Sequence, residues 1–141
     1  MEFTQLTERN AKNHIGRQLI FKLKDKPILS TLLGALNGKF VIEINGTRRV
    51  LSSTHPVFVI VDKSSNNNPS ASLHYSMNFL QASSYNVLQF VGHYVLVRSD
   101  GGKVSINKIR SVSKSLYYIS VKSGITEKSV DLRGSHCYIV V

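Results

Sequence analysis

The stretch IGRQLIFK at residues 15–22 returns in altered form as VGHYVLVR at residues 91–98. The likeness continues downstream, and its aligned pairs are Ile28 and Val104, Leu33 and Ile109, Leu36 and Val112, Ile42 and Ile119, Ile44 and Val121, and His55 and His136. Self-similarity of this kind indicates a repeat architecture. The sequence therefore predicts two copies of one small unit, each of roughly fifty residues.

Each copy has the pattern of short β-strands joined by tight turns. Leu19, Phe21 and Leu23 alternate with Lys22 and Lys24, as expected for a half-buried strand. Asn37-Gly38 and Asn45-Gly46 are strong hairpin signals because Asn and Gly tolerate a positive φ. The second copy has glycine-containing turns at similar intervals. The pattern predicts an all-β fold with five strands in each copy, arranged as small barrels or a sandwich.

Composition shifts divide the chain into two repeats and a linker. The first repeat covers residues 1–62 and begins with a short helix over 8–12 that Thr7 caps. Residues 63–72 are rich in Ser and Asn and read as a linker. The second repeat covers residues 73–141, and the spacing of its first apolar residues predicts a leading helix over 73–82.

The charge balance points to an anionic partner. The 141 residues include 18 Lys and Arg against 8 Asp and Glu, for a net charge of +10. Such a field attracts polyanions, foremost nucleic acids. Cys137, the single cysteine, lies in an apolar run and is expected to be a buried structural thiol. The N-terminus lacks the apolar core of a signal peptide, so we expect a soluble, cytoplasmic protein without a membrane partner.

The sequence offers no recognisable catalytic or metal-binding motif. The eight acidic residues are scattered, and the five histidines do not have the spacing of metal ligands. A glycine-rich phosphate loop and a nucleophile elbow are also missing from the sequence. We therefore expect a protein that is not an enzyme and that has neither a metal site nor a cofactor.

Asp25-Lys26 lies at a turn between two predicted strands, and residues 37–41, NGKFV, form the next turn and the start of the next strand. In these two segments the first repeat resembles the Sm-like fold, the SH3-like barrel of Sm, LSm and Hfq proteins, which has an Asn-Gly turn at the first place and an Asp-x-Phe-Val segment at the second. His55 and His136 fall where Hfq has a Lys-His pair that faces RNA, although a lysine precedes neither. The resemblance implies two tandem five-stranded SH3-like, Sm-like barrels with short leading helices. It also implies that homo-oligomers are possible.

Basic and aromatic residues supply the candidate contacts for nucleic acid. Arginine grips phosphate with two donors and stacks on bases, while an exposed tyrosine stacks on unpaired bases. Because adjacent strand residues face opposite ways, we expect one tyrosine of the pair at 117 and 118 in the core and the other exposed. The candidate residues are Arg48, Arg49, His55, Lys103, Lys108, Arg110, Tyr117, Tyr118, Lys122 and His136.

Two functions fit these residues. The first is non-enzymatic binding of RNA or single-stranded DNA, with affinity from the basic strands and base contacts from tyrosine and histidine. The second is a protein-interaction module, such as a small inhibitor or adaptor that docks on an acidic surface of a partner protein. A continuous basic stripe beside an exposed tyrosine favours the first, and basic residues around an apolar patch favour the second.

Overall fold

A computed structural model of the chain describes residues 1–61, 77–99, 101–133 and 137–141. The chain forms two compact units, Met1–Met77 and Asn78–Val141. Within the described ranges the regular elements are β-strands and short 3₁₀ helices, which confirms the predicted all-β class. The predicted linker at residues 63–72 lies outside the described residues.

The first unit is a six-stranded antiparallel sheet in the order β1-β6-β2-β3-β4-β5. Its strands are β1 (Glu2–Gln5), β2 (Gln18–Leu23), β3 (Lys26–Leu36), β4 (Lys39–Ile44), β5 (Thr47–Ser52) and β6 (Val57–Val61). The two Asn-Gly turns join β3 to β4 and β4 to β5, with both residues of each turn at positive φ. Among the described residues β1 and β5 do not pair with each other, so the sheet is open.

The second unit repeats this topology strand for strand, in the order β7-β12-β8-β9-β10-β11. Its strands are β7 (Phe79–Gln81), β8 (Tyr94–Arg98), β9 (Val104–Val112), β10 (Tyr118–Ser123), β11 (Thr126–Asp131) and β12 (Cys137–Val140). Both sheets therefore contain the five predicted strands and one additional strand at an edge, β1 or β7.

Among the described residues the leading segments are strands and 3₁₀ turns, so the helix predicted over 8–12 is wrong, and so is the described part, 77–82, of the helix predicted over 73–82. Thr7 does cap a turn, since its backbone N donates to Asn10 Oδ1 (2.8 Å) and its Oγ1 accepts from Asn10 N (3.1 Å). The helical part that follows is only the 3₁₀ helix Ala11–Asn13. In the second unit, residues 79–81 of the predicted helix form β7, because pairing with β12 satisfies their backbone groups. Its 3₁₀ helix comes later, at Val87–Phe90.

A β-bulge changes the alignment of the two repeats. The N–H of Gly16 donates to Leu32 O and that of Gly92 donates to Ile109 O, both at 2.8 Å. Leu32, rather than the predicted Leu33, is therefore the counterpart of Ile109. The next residue of β3, and likewise Arg110 of β9, is skipped in the pairing. A bulge leaves one residue unpaired and bends its strand.

The bulge also moves the later pairs. Ile42 pairs with Leu32, and Val121 pairs with Ile109. Ile42 is therefore the counterpart of Val121, two residues beyond the predicted Ile119. The predicted match of His55 with His136 has no structural test because His136 lies outside the described residues.

Each sheet packs one face around its own core, and along β2, β6 and β8 it also buries residues of the opposite face, Ile20, Phe58 and Leu96. The core of the first unit includes Leu19, Phe21, Leu32, Phe40, Ile42, Val57 and Val59. The core of the second includes Val95, Val97, Ile109, Ile119, Val121, Cys137 and Ile139. Because side chains alternate along a strand, the residues between them lie on the opposite face, which we call the outer face. The exposed parts of the outer faces carry the candidate site.

Candidate nucleic-acid interface

A row of cross-strand neighbours crosses the outer face of the second unit. Tyr94 of β8 pairs with Lys108 of β9, Lys108 pairs with Lys122 of β10, and Lys122 pairs with Glu127 of β11. Residues directly opposite each other in paired strands lie on the same face. The buried neighbours Val95 and Val121 point into the core, so this row faces away from it. Two lysines, the exposed Lys108 and the half-buried Lys122, thus stand side by side on this face.

An aromatic ring begins the row. The Lys108 ammonium lies over the Tyr94 ring, with Nζ 5.4 Å from the ring centre. A cation over an aromatic face is attracted by the ring's quadrupole, modestly so at exposed sites. The contact holds the Lys108 amine above the sheet without neutralising its charge. An anion can therefore still bind it.

The bulge in β9 adds a third cation beside the row. Arg110 Nε lies 3.9 Å from Glu127 Oε1, and both side chains are exposed. The same carboxylate oxygen accepts a hydrogen bond from Ser120 Oγ at 3.3 Å. An exposed ion pair of this length is weak and is screened by salt. A phosphate can compete with Glu127 for the Arg110 guanidinium.

A cluster of two tyrosines and an arginine lies at the other end of this face. The guanidinium carbon of Arg133 is 4.8 Å from the ring centre of Tyr117 and 5.4 Å from that of Tyr118. Its Nη2 donates to Tyr118 Oη at 2.7 Å. Asp131 accepts from Arg133 Nε at 3.1 Å and from Nη2 at 3.2 Å. The side chain is therefore fixed from two directions.

Charge and hydrogen bonding reinforce each other in this cluster. The hydrogen bonds from Arg133 hold the pKa of Asp131 below its ordinary value, and Asp131 raises the pKa of Arg133. Both groups are ionised at neutral pH. Because Asp131 occupies part of the guanidinium, Arg133 serves more as a planar support for the two rings than as a free phosphate ligand.

Both tyrosines are exposed, so the prediction of one in the core is wrong. Tyr117 is 41% exposed and Tyr118 is 40% exposed. Strand alternation does not apply because Tyr117 precedes β10, after a turn in which Leu116 has a φ of 66°. From Lys122 to Tyr118 the face extends four residues along β10, or about 13 Å. Aromatic rings therefore stand at both ends of a short basic surface.

The structure brings together five of the predicted contacts. They are Lys108, Arg110, Tyr117, Tyr118 and Lys122. Lys103 lies just before β9, whose first residue, Val104, pairs with Arg98, and it is away from this face. His136 lies outside the described residues. The remaining three belong to the first unit.

The first unit does not repeat the basic row. The equivalent row consists of Gln18, Thr31, Glu43 and Arg48. Arg49 pairs with Ile42, so its side chain lies on the face opposite to that of Arg48. The two arginines therefore cannot grip one phosphate as a pair on a single face.

His55 has a structural contact in the first unit. Its Nε2 lies 2.9 Å from the carbonyl oxygen of Lys22. Its ring meets the Phe21 ring edge-on, with the centres 5.8 Å apart. The imidazole thus links the residues before β6 to the end of β2, and its Nε2 contacts the backbone and is not free to contact RNA.

Tyr94 and Arg133 belong to the site but were not among its predicted residues. Tyr94 could have been found from the β8–β9 hairpin register, which sets it opposite Lys108. Arg133 follows β11 by two residues, and only the turn there brings it over the tyrosines.

Other candidate chemistry finds little support in the described residues. Cys137 is buried, as predicted, and burial raises the pKa of its thiol to about 12. In the described ranges, no three His, Cys, Asp or Glu side chains are grouped as metal ligands. No helix in those ranges has the length and apolar character needed to cross a membrane.

Comparison of the chain with protein-family models, with curated proteins and with solved structures finds no match.

Proposed function

We propose that this chain is a non-enzymatic nucleic-acid-binding protein that binds RNA or single-stranded DNA on the outer face of β8–β11. The observation that carries the proposal is the pairing of Lys108 with Lys122 on a surface with the half-buried Tyr94 at one end and the exposed Tyr117 and Tyr118 at the other. Lysine and arginine neutralise phosphates and release counterions, which supplies affinity without sequence preference.

The tyrosines favour a single strand over a duplex. Tyr117 and Tyr118 are each about two-fifths exposed, and a ring of this kind can stack on an unpaired base. Bases in a duplex are stacked on one another and do not offer their faces. Arg133 holds both rings in place, so little conformational entropy is lost when a base stacks on them.

For the fold of each unit we propose an SH3-like barrel of the Sm-like type. The order β6-β2-β3-β4-β5, repeated as β12-β8-β9-β10-β11, supports this interpretation. The bulge in the long strand β3 also supports it, because bulges bend a sheet towards closure.

Fluorescence anisotropy with labelled single-stranded RNA, single-stranded DNA and duplex DNA tests the function. We expect the single strands to bind more tightly than the duplex, with affinity that falls as salt rises. Replacing Lys108 and Arg110 by Gln should weaken binding, whereas replacing Arg48 and Arg49 by Gln should have a much smaller effect. The two variants lose the same charge, so the comparison separates a local site from general attraction. Equal losses, or an absence of binding near physiological salt, would overturn the proposal.

A further inference from the structure

The two units differ most where their outer faces should match. In the first unit the face beside the row is apolar, and in the second the equivalent positions are all serine. The bulge and the strand pairing equate Gly34 with Ser111, Leu36 with Ser113, Val41 with Ser120, and Val50 with Ser129. The fold therefore tolerates serine at these positions, and the apolar residues of the first unit are not needed to form the sheet.

This apolar face is open to solvent. Leu36 is 70% exposed and Val50 is 58% exposed. A Cβ added at Gly34 would meet nothing within 4 Å, so the glycine leaves a shallow gap beside Val41. An apolar patch of this kind on an exposed surface indicates an interaction site. Nucleic acid is a poor occupant because, among the described residues, no exposed aromatic ring lies on this face for a base to stack on, although the cations Lys39, which pairs with Leu36, and Arg48 border the patch.

The patch borders an edge strand with unpaired backbone. Among the described residues β5 pairs only with β4, so its other side presents unused N–H and C=O groups. Such an edge accepts an extended peptide as an additional strand. Arg48 and Arg49 lie next to Val50 on this strand and project to opposite faces. A segment that pairs with β5 would therefore lie beside the apolar Val50 and then beside the two arginines.

We propose that β5 binds an extended acidic segment of a partner protein as an additional antiparallel strand. An apolar side chain of that segment packs on Val50, which is itself paired with Val41, and carboxylates lie opposite Arg48 and Arg49. A second copy of this chain fits poorly, because antiparallel pairing of two β5 strands would bring four guanidinium groups together, and like charges in paired strands are destabilising. The proposal does not depend on nucleic-acid binding, which lies on the second unit.

A labelled peptide tests this proposal directly. The probe is fluorescein-Gly-Ser-Thr-Val-Ile-Glu-Glu-Thr-Ser-Gly, which in antiparallel register sets Ile opposite Val50 and the two Glu opposite the arginines. The control peptide has Lys in place of Glu. We expect saturable anisotropy with the acidic peptide only. The double variant V41S/V50S, which copies the second unit, should bind at least about tenfold more weakly because its apolar contact is lost.

A control variant separates the edge strand from the rest of the outer face. Gly34 does not have a positive φ, and a Cβ there would meet no atom within 4 Å, so Gly34→Leu should fold normally. Because Gly34 lies on β3, two strands in from β5, Gly34→Leu and K108Q/K122Q should both leave peptide affinity unchanged. Circular dichroism and thermal unfolding confirm that each variant is folded.

Three results would overturn the proposal. The first is the absence of saturable binding by the native chain at peptide concentrations up to about 1 mM. The second is equal binding by the native chain and V41S/V50S, which would mean that charge alone attracts the peptide. The third is a dimer in sedimentation that V41S/V50S abolishes, which would identify a second copy as the occupant of the face.

Discussion

Removing the paired lysines is the sharpest perturbation of the proposed interface. Lys108 and Lys122 are directly opposite each other in β9 and β10 and point away from the core. Gln keeps most of the side-chain length and removes the charge, so K108Q/K122Q should leave the sheet intact. Since both positions are on the outer face, we expect little change in the free energy of unfolding.

The size of the effect follows from counterion release. Each phosphate contact on a single strand contributes about 0.7 to the slope of log K against log salt concentration. Loss of two contacts should lower the magnitude of the slope by about 1.4. If the two proteins bind equally near 1 M salt, this slope difference corresponds to a loss of about 25-fold in affinity at about 0.1 M salt.

Anisotropy with a labelled single-stranded RNA, titrated at several salt concentrations, measures both quantities. The matched control is K12Q/K103Q, which removes the same net charge at exposed residues that do not belong to the row. We expect the control to lose only a few-fold in affinity and to keep most of the slope. If the control and K108Q/K122Q behave alike, binding is a property of the net charge and the proposed face is not the site.

Four further predictions test the site and the fold. Tyr118→Ala should weaken single-strand binding by about 5- to 150-fold at constant salt slope, because stacking is worth about 1–3 kcal/mol per base. Tyr118→Phe keeps the ring and should retain most of the affinity, and anisotropy with both variants measures the difference. Phe40→Ala should lower the free energy of unfolding, measured in urea, by about 3–5 kcal/mol, because Phe40 is fully buried in the core of the first unit. A smaller loss would mean that the Phe40 side chain is not tightly packed. Burial, with a smaller effect of Arg17, lowers the pKa of His14 from its ordinary 6.5, so the folded state favours the neutral imidazole. This contribution to folding stability is present above pH 6.5 and is lost as pH falls through the lower pKa of the folded state. The unfolding temperature should therefore decrease from about pH 7.5 to about pH 5, and less so in His14→Gln. Cys137 should react with a thiol reagent at about pH 8 only after denaturation, because its pKa is near 12 in the folded protein, and fast reaction of the native chain would contradict its burial.

The strands could be predicted from the amino-acid pattern better than the segments that lead into them. Alternation and Asn-Gly turns are local signals, and they located β2 to β5 within a few residues. The leading segments failed because the pairing of β1 with β6 and of β7 with β12 joins residues far apart in the chain. Local propensity carries no information about such distant partners, and this is why residues 79–81 were predicted as helix.

The candidate site shows the same division. Lys108, Arg110 and Lys122 were singled out by residue type, but their meeting depends on the register of β9 with β10. The bulge at Arg110 shifts that register by one residue, and nothing in the amino-acid pattern specifies it. The turn that places the Arg133 guanidinium over the two tyrosine rings could not be predicted from the spacing of residues in the sequence.

The order of amino acids is enough to establish that this chain is basic, rich in β-strands and internally repeated, because charge, alternation and self-similarity are properties of the chain itself. That the two repeats present different outer faces, one basic with tyrosines and one apolar at an open edge, is seen only in the folded chain. A face consists of residues from neighbouring strands, and a bulge of one residue determines which of them stand together.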